Sequence, residues 1–261
     1  MGDPVAAIGR LYLVPNTLDM GTWRDADAPP DLQTVLPLGV LHVAAGLRYW
    51  VAENAKSARS LLKRVNQTVP LSGALQEIDI RELPRPPKGR ANSADPGDLR
   101  PFLAPALAGA DIGLVSEAGL PAVADPGAAL VRAAHALRVP VVALSGPSSL
   151  MLALAASGLN GQSFAFVGYL PTDAAARAQR VRELEASSRR LQQTQLVIET
   201  PYRNQALLQA LVATLAPQTW LSVSSGLTLS QGVTRTEQVT AWRQATFALA
   251  SDVPAVFSFL A

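Results

Sequence analysis

The sequence predicts an α/β fold with two domains, each of which holds a mainly parallel or mixed sheet. Short apolar segments alternate along the chain with longer segments whose apolar residues recur every three or four positions. The composition is that of a globular protein, since 49% of the residues are hydrophobic and 16% are charged. The 20 prolines and 18 glycines are spread along the chain, as expected of residues that separate secondary-structure elements.

In the first part of the chain, strands and helices alternate, which implies parallel strands joined by right-handed crossovers. The predicted strands are Arg10–Pro15, Tyr49–Glu53, Gln76–Leu83, Asp111–Val115 and Pro140–Leu144. The predicted helices are Asn54–Arg64, Leu99–Leu107, Gly127–Leu137 and Pro147–Ala156. The two proline-containing segments 16–37 and 84–97 are interpreted as loops.

A second series of elements begins after the turn Gly158–Gln162. Its predicted strands are Ser163–Tyr169, Gln195–Thr200, Trp220–Ser224, Val233–Val239 and Ala255–Leu260, and its predicted helices are Asp173–Glu185 and Arg203–Leu215. We therefore place the domain boundary near Asn160. This gives an N-terminal domain at residues 1–160 and a C-terminal domain at residues 161–261.

The residue inventory excludes several kinds of site. With no cysteine, the chain has no disulfide, thiolate metal site or cysteine nucleophile. The two histidines, His42 and His135, share no ligand spacing, so they are interpreted as ordinary structural or surface residues and no metal is expected. The formal net charge of +2 gives no strong global attraction to nucleic acid.

Neither a membrane span nor a secretion signal is predicted. The segment Val139–Thr172 carries no charge, but Gly146-Pro147 and two further glycines interrupt it. A spanning helix needs about 20 continuous apolar residues, so a buried strand, a turn and a buried helix are expected instead. Residues 1–10 lack the charged start and apolar core of a signal peptide, and we expect a cytoplasmic protein.

Two glycine-proline loops are the strongest candidates for a ligand site. Ser116–Gly127 follows one predicted strand and Ser145–Ser149 follows the next. In an open parallel sheet, ligands bind beyond the carboxyl ends of the strands. Glycine allows a ligand close to the backbone, and the free amides of a helix beginning at Pro147 suit a carboxylate or another polar group. The alternative is that both loops are only tight strand-to-helix turns.

Other well-known sites lack their motifs. The chain has no G-x-G-x-x-G for a dinucleotide, no G-x-x-x-x-G-K-[ST] for a phosphate loop and no G-x-S-x-G nucleophile elbow. A hydrolase that uses Ser148 or Ser149 remains as an alternative. Its only support is the serine-containing loop, and neither His42 nor His135 follows a predicted strand end.

Four segments in order resemble the motifs of the tetrapyrrole methylase superfamily, which are S-adenosylmethionine-dependent methyltransferases. They are Ser116–Gly127 (SEAGLPAVADPG), Ser145–Leu150 (SGPSSL), Gly168–Pro171 (GYLP) and Glu199–Arg203 (ETPYR). The branch most similar is the ribosomal RNA small-subunit 2′-O-ribose methyltransferase I group. There the corresponding segments read S-D-A-G-T-P-x-I-S-D-P-G, P-G-P-S-A, G-F-L-P and E-S-P-H-R.

The resemblance implies two α/β domains with a cofactor cleft between them, S-adenosylmethionine as methyl donor and a homodimer. It implies ribosomal RNA, or a tetrapyrrole or other small molecule, as methyl acceptor. The positions that match donor-binding residues are Pro15, Gly119, Leu120, Pro121, Val123, Ser148, Ser149, Glu199, Thr200 and Ser225.

Several segments depart from the motifs of that branch. The loop T-P-I-G-N-L becomes Val14–Asp19 without a glycine, and E-D-T-R becomes Glu53–Lys56 with one acid fewer. The H-x-x-N segment is absent from residues 72–82, and E-L-T-K becomes Gly226–Leu229 without the lysine. The missing groups are of a kind that holds the acceptor or removes its proton. A module of the same fold that binds the donor without catalysis is therefore an alternative.

Candidate groups for acceptor chemistry are few. Glu53 and Glu117 are the candidate catalytic carboxylates, because a ribose hydroxyl benefits from a general base, although a solvated or capping role fits either residue. A basic cluster in Asp173–Arg190 suits either RNA contact or a solvated helix, and the interleaved Glu183 and Glu185 favour the solvated helix. The arginines of this cluster are Arg177, Arg180, Arg182, Arg189 and Arg190.

Overall fold

The computed structural model describes residues 7–20, 30–84 and 97–261 of the chain. The described residues form two compact units, the first ending at Pro147 and the second beginning at Ser148. By this division, residues 148–160 lie in the second unit, whereas the sequence analysis assigns them to the N-terminal domain. In the described part of the chain, no helix is long and apolar enough to cross a membrane.

The first unit contains one five-stranded sheet whose strands are all parallel, in the order β3-β2-β4-β1-β5. The strands are β1 (Leu11–Leu13), β2 (Tyr49–Ala52), β3 (Asp79–Glu82), β4 (Ile112–Val115) and β5 (Val141–Ala143). The helices are α1 (Leu38–Gly46), α2 (Ala55–Thr68), α3 (Arg100–Leu107) and α4 (Ala128–Ala136), with 3-10 turns at Leu32–Thr34 and Leu75–Glu77.

The helices of the first unit cover both faces of its sheet. Buried residues of α1 and α2 pack with Trp50 and Val115, while those of α3 and α4 pack with Leu11 and Leu114. The chain leaves β1 toward β2 and leaves β4 toward β5, in opposite directions across the sheet. Right-handed crossovers in opposite directions place their helices on opposite faces, so β1 and β4 form a topological switch point.

The second unit contains a mixed sheet in the order β6-β7-β10-β8-β9. Of its four pairs of neighbouring strands, β6 and β7 form the parallel pair and the other three pairs are antiparallel. The strands are β6 (Phe164–Tyr169), β7 (Thr194–Ile198), β8 (Trp220–Ser225), β9 (Val233–Gln238) and β10 (Ala255–Leu260). The helices are α5 (Ser149–Ser157), α6 (Ala174–Leu191), α7 (Asn204–Thr214) and α8 (Val239–Gln244). Alternate residues of β10 pack on α5 and on the α6–α8 layer.

Four details differ from the prediction. Helices α1 and α8 were not predicted. Helix α6 continues six residues beyond its predicted end at Glu185, to Leu191. Helix α5 begins at Ser149 and not at Pro147, because Ser148 is its N-cap in extended conformation. The sequence made no prediction of strand order, and in the sheet β1 lies between β4 and β5, the two strands that precede the glycine-proline loops. Residues 85–96 of the predicted second loop lie outside the described residues.

Candidate functional site

Four loops of the first unit leave neighbouring strands at the same edge of the sheet. The strands are parallel, so their carboxyl ends lie together in the order β2, β4, β1 and β5. The residues that follow them are Glu53, the loop 116–127, the loop 14–19 and the loop 144–147. The insertion of β1 between β4 and β5 brings Pro15 and its neighbours between the two glycine-proline loops.

Asn16, which the sequence analysis did not single out, connects the loops after β1 and β4. It is 6% exposed, and its backbone N–H donates to the carbonyl of Gly119 at 2.9 Å. Its side-chain amide donates to the carbonyls of Ser116 and Glu117 at 3.1 Å and 3.0 Å, and its Oδ1 accepts from the N–H of Thr17 at 2.8 Å. A buried amide with this many partners fixes the conformation of both loops.

Close backbone approach explains two of the glycines. A Cβ on Gly146 would collide with the ring of Pro15. Gly119 has a φ of 64°, and a Cβ there would lie 3.2 Å from Cδ2 of Leu18 and 3.4 Å from the carbonyl oxygen of Pro147. Three of the loops therefore contact one another directly. Of the predicted donor-binding residues, Pro15 and Gly119 lie in these contacts.

The remainder of the loop 116–127 is strained. Ala122 and Ala124 have φ values of 65° and 64°, a region that costs a residue with a Cβ roughly 1–2 kcal/mol. Between Gly119 and Ala124, Pro121 is buried, Leu120 is half-buried and Val123 is 44% exposed. Strain of this kind persists where the surroundings determine the backbone, and it concentrates at ligand sites.

Three carboxylates meet at the ends of β2 and β4. Oε2 of Glu53 accepts a hydrogen bond from the backbone N–H of Glu117 at 3.2 Å. Burial, and then the charges of Glu53 and Glu117, raise the pKa of Asp125 to about 7. A carboxyl group with such a pKa exchanges its proton near neutral pH. The sequence analysis missed Asp125, although it lies within the Asp-Pro-Gly end of the quoted motif.

A buried ion pair anchors the loop after β1. NH1 of Arg64, on α2, lies 3.0 Å from Oδ2 of Asp19, and both side chains are at most 10% exposed. The same guanidinium donates to Oγ1 of Thr17 at 3.4 Å and to the carbonyl of Pro30 at 3.0 Å. Arg64 was not predicted either, because a basic residue on an amphipathic helix is normally exposed.

The predicted residues of the second unit lie at strand and helix ends. Ser148 is the N-cap of α5, without a side-chain capping hydrogen bond, and Ser149 is the first helical residue. Glu199 and Thr200 follow β7, and Ser225 ends β8. Ile198 and Ser224 both pair with Val256 of β10, so the ends of β7 and β8 lie at the same edge of this sheet.

Glu199 is bound by its own neighbours. Oε1 accepts from the backbone N–H of Thr200 at 2.8 Å and from NH2 of Arg203 at 2.7 Å. The Glu199 side chain is 5% exposed, and it raises the pKa of Arg203 through this hydrogen bond. The hydroxyl of Thr200 also accepts from Nε of Arg203 at 3.2 Å. The polar side chains of the segment ETPYR thus bind one another, with Glu199 and Arg203 forming an ion pair within the segment.

Other chemistry considered from the sequence receives no support. His42 lies on α1 and His135 on α4, both are exposed, and neither follows a strand end. Within residues 7–20, 30–84 and 97–261, no group of three or more histidines, cysteines or acidic residues is arranged to hold a metal ion.

The fold of the chain is similar to that of a solved methyltransferase structure. The crystal structure of the methyltransferase CobJ superimposes with a TM-score of 0.53, covering 87% of this chain and 88% of that chain at 16% identity. The chain shares the fold of this methyltransferase, which confirms the predicted fold class of two α/β domains with mainly parallel or mixed sheets. At this identity the likeness concerns the fold alone.

Sequence similarity leads to a particular group of relatives, each named ribosomal RNA small subunit methyltransferase I. The protein from Pseudomonas aeruginosa is 39% identical over 102 residues, which are 39% of this chain and 35% of the relative. The protein from Synechocystis is 35% identical over 131 residues, 50% of this chain and 46% of the relative. The chain thus spans less than half of the length of these relatives, and no family model matches it. The resemblance stated from the motifs is confirmed.

Proposed function

We propose that this protein is an S-adenosylmethionine-dependent methyltransferase that methylates a ribose 2′-hydroxyl of ribosomal RNA. The observation that carries the proposal is the junction of the loops 14–19, 116–127 and 144–147 at the switch point of the first sheet. At this junction Asn16, Gly119 and Gly146 fix the backbone of the three loops against one another. The shared sequence with ribosomal RNA methyltransferases supports the choice of acceptor.

The residues at this junction fit a cationic donor. Glu53, Glu117 and Asp125 provide negative charge, which attracts a sulfonium ion in a partly buried site. The hydroxyl of Ser116 is buried and has no hydrogen-bond partner among the described residues, so it is available to a ligand. We assign donor contacts to Pro15, Gly119, Leu120, Pro121 and Val123 of the first unit. Those assigned in the second unit are Ser148, Ser149, Glu199, Thr200 and Ser225.

The chain's contribution to the reaction is to position the reactants and to accept one proton. When bound, S-adenosylmethionine would supply a methyl group activated by its bond to a positively charged sulfur. Rigid loops that align the acceptor oxygen with that bond lower the entropic part of the barrier. We assign Asp125 as the group that takes the hydroxyl proton, because its pKa of about 7 matches neutral working conditions.

Two measurements test the proposal in sequence. Isothermal calorimetry with S-adenosylmethionine and S-adenosylhomocysteine should detect binding of both to the folded protein. Incubation with methyl-labelled donor and small-subunit ribosomal RNA should then yield a labelled 2′-O-methyl nucleoside after digestion. Failure of folded protein to bind either donor compound would refute the assignment of the site.

A second candidate is a module that binds the donor without transferring its methyl group. The altered acceptor-side segments at residues 53–56 and 226–229 favour this candidate. Donor binding without incorporation of label into RNA, into a tetrapyrrole or into another small acceptor would support it. Stoichiometric incorporation into any acceptor excludes it, and the identity of that acceptor separates RNA methylation from small-molecule methylation.

The homodimer and the cytoplasmic location expected from the resemblance are part of the same proposal. Sedimentation velocity of the purified chain should give the mass of two copies. A single-copy mass over the micromolar range would remove the dimer from the proposal. Fractionation of cells that express the full chain should place it with ribosomal subunits in the cytoplasm.

A further inference from the structure

The basic residues of the second unit are concentrated on one helix. Residues 1–147 contain 14 basic and 14 acidic residues, whereas residues 148–261 contain eight and six, so the net charge of +2 lies wholly in residues 148–261. Five of those eight basic residues belong to α6. They are Arg177, Arg180, Arg182, Arg189 and Arg190.

The acids interleaved with these arginines do not neutralise the helix surface equally. Glu185 points inward and is 9% exposed. It accepts a hydrogen bond from the backbone N–H of Ala216 at 2.8 Å and another from the hydroxyl of Thr219. The Glu185 carboxylate therefore stabilises the turn that precedes β8 and does not lie among the exposed arginines. Glu183 remains at the surface, where it lies 3.4 Å from NH1 of Arg180.

Beyond Glu183, the charged side chains that α6 exposes are all positive. Arg182 and Arg189 are seven residues apart, so they lie on the same side of the helix and about 10.5 Å apart along its axis. Arg190 is adjacent and exposed. Among the described residues, no carboxylate forms an ion pair with any of these three arginines.

The helix dipole accounts for only part of this pattern. Positive side chains stabilise the last turn of a helix, which here contains Arg189 and Arg190. The effect decays within that turn, and Arg182 lies nine residues before the end of α6. Within the described part of the chain, its one hydrogen bond is a 3.2 Å contact from NH2 to Oε1 of Gln179, which leaves its charge uncompensated.

We propose that the arginine face of α6, formed by Arg182, Arg189 and Arg190, binds the phosphate backbone of the ribosomal RNA substrate. The inference rests on the proposed function for the choice of RNA as the polyanion. The positive charge is concentrated on one helix face. It therefore matches an extended polyanion that contacts this face of the second unit. Arginine pairs with phosphate through parallel hydrogen bonds, and its guanidinium stays ionised at all relevant pH values.

The test compares the double variant Arg182→Gln/Arg189→Gln with the control Lys63→Gln/Arg132→Gln in the full chain. Both lose two positive charges from exposed helical positions, and the control residues lie on α2 and α4. Binding of small-subunit ribosomal RNA is measured by filter retention between 50 and 200 mM salt. Log K falls as log salt rises, and each lost phosphate contact makes this dependence less steep by about 0.7–0.9.

We expect the α6 variant to bind RNA roughly 25- to 60-fold more weakly near 100 mM salt, with a salt dependence less steep by about 1.4–1.8. The control should match the wild type in both respects. Equal RNA affinity and slope for the α6 variant and the wild type would overturn the inference. An equal loss in both variants would overturn it too, because the effect would then follow net charge and not this face.

Donor binding separates this inference from the proposed function. Both double variants should bind S-adenosylhomocysteine as the wild type does. If donor binds and RNA binding is insensitive to α6, the inference fails while the methyltransferase proposal stands. If no donor binds but the α6 variant alone loses RNA, the proposed catalysis fails and the RNA-binding face stands. Loss of affinity for an acidic polypeptide but not for RNA would contradict the inference in favour of a protein partner.

Discussion

The two units place carboxylates after strand ends and use them in opposite ways. In the first unit, backbone contacts around Asn16 and Gly146 hold the loops, and Asp125 has its pKa raised by burial and by neighbouring acids. In the second unit, Glu199 itself holds the loop, by binding Thr200 and Arg203.

This difference separates a structural carboxylate from one that is available for chemistry. A carboxylate that already accepts hydrogen bonds from its own neighbours has its acceptor positions occupied by the loop it holds. A carboxylate whose pKa has been raised by burial and like charges is a better base and a better partner for a cation. The following substitutions test that contrast.

Gly146→Ala should have the largest effect. Its Cβ would meet the ring of Pro15, and the loops after β1 and β5 would have to separate. We expect a loss of about 3 kcal/mol in the free energy of unfolding, the upper range for overpacking, and at least tenfold weaker binding of S-adenosylhomocysteine. Denaturant unfolding and calorimetry provide the measurements. Gly39→Ala on α1, where a Cβ meets nothing within 4 Å, is the control. It should leave donor binding unchanged and raise the free energy of unfolding by up to about 1 kcal/mol, because alanine is the better helix former.

Arg203→Met should have the next largest effect, through the stability of the second unit. It leaves the nearly buried Glu199 without its cation, and we expect a loss of about 2 kcal/mol in the free energy of unfolding. The double variant Glu199→Gln/Arg203→Met should recover part of that loss, because no buried charge remains unpaired. A double-mutant cycle by urea unfolding measures the coupling. Additive single effects would show that the pair does not hold the loop.

Asp125→Asn should change stability by about 1 kcal/mol after allowance for partial exposure, an effect that develops between about pH 4 and 7 and is complete above pH 7. The folded-state pKa of about 7 lies above the ordinary value near 4, so wild-type stability falls as pH rises from about 4 to 7 and is level beyond that. The variant should therefore be the more stable protein at pH 8 and equal to the wild type at pH 4. Thermal unfolding at the two pH values measures this.

The same variant tests the cation preference of the site. Ionised Asp125 attracts a sulfonium, so wild-type affinity for S-adenosylmethionine relative to neutral-sulfur S-adenosylhomocysteine should increase from pH 6 to pH 8. The variant should lose this pH dependence. Calorimetric titration of both compounds at both pH values supplies the ratio. A wild-type ratio independent of pH would place Asp125 away from the sulfur.

Ala122→Gly should have the smallest effect, and in the opposite direction. Glycine tolerates the φ of 65° found here, so we expect a gain of about 0.5 kcal/mol after the entropy cost of glycine. Donor affinity should fall by less than about threefold as the loop becomes less rigid. The matched change Ala104→Gly, on an exposed position of α3, should instead lose roughly 0.5–1 kcal/mol. Unfolding by urea distinguishes the two signs.

Much of the fold was predictable because the spacing of apolar residues follows the buried face of each helix or strand. The predicted strand Asp111–Val115 and helix Leu99–Leu107 match β4 and α3 within one residue at each end. Helix α1 was missed although Val40, Leu41, Ala44 and Ala45 are buried at helical spacing. It has no charged residue to mark an exposed face, and the proline-containing segment 16–37 before it resembled a continuing loop.

The sequence by itself determined most of the elements, the parallel strands of the first unit and the two glycine-proline loops, since each depends on residues near one another in the chain. Only the tertiary structure decided that β1 lies between β4 and β5, because strand order depends on which distant segments pair. The same long-range packing made Asn16 and Asp125 central and turned Glu185 inward, away from the arginines beside it. Burial and partner geometry set what a polar side chain does, and neither is a property of local sequence.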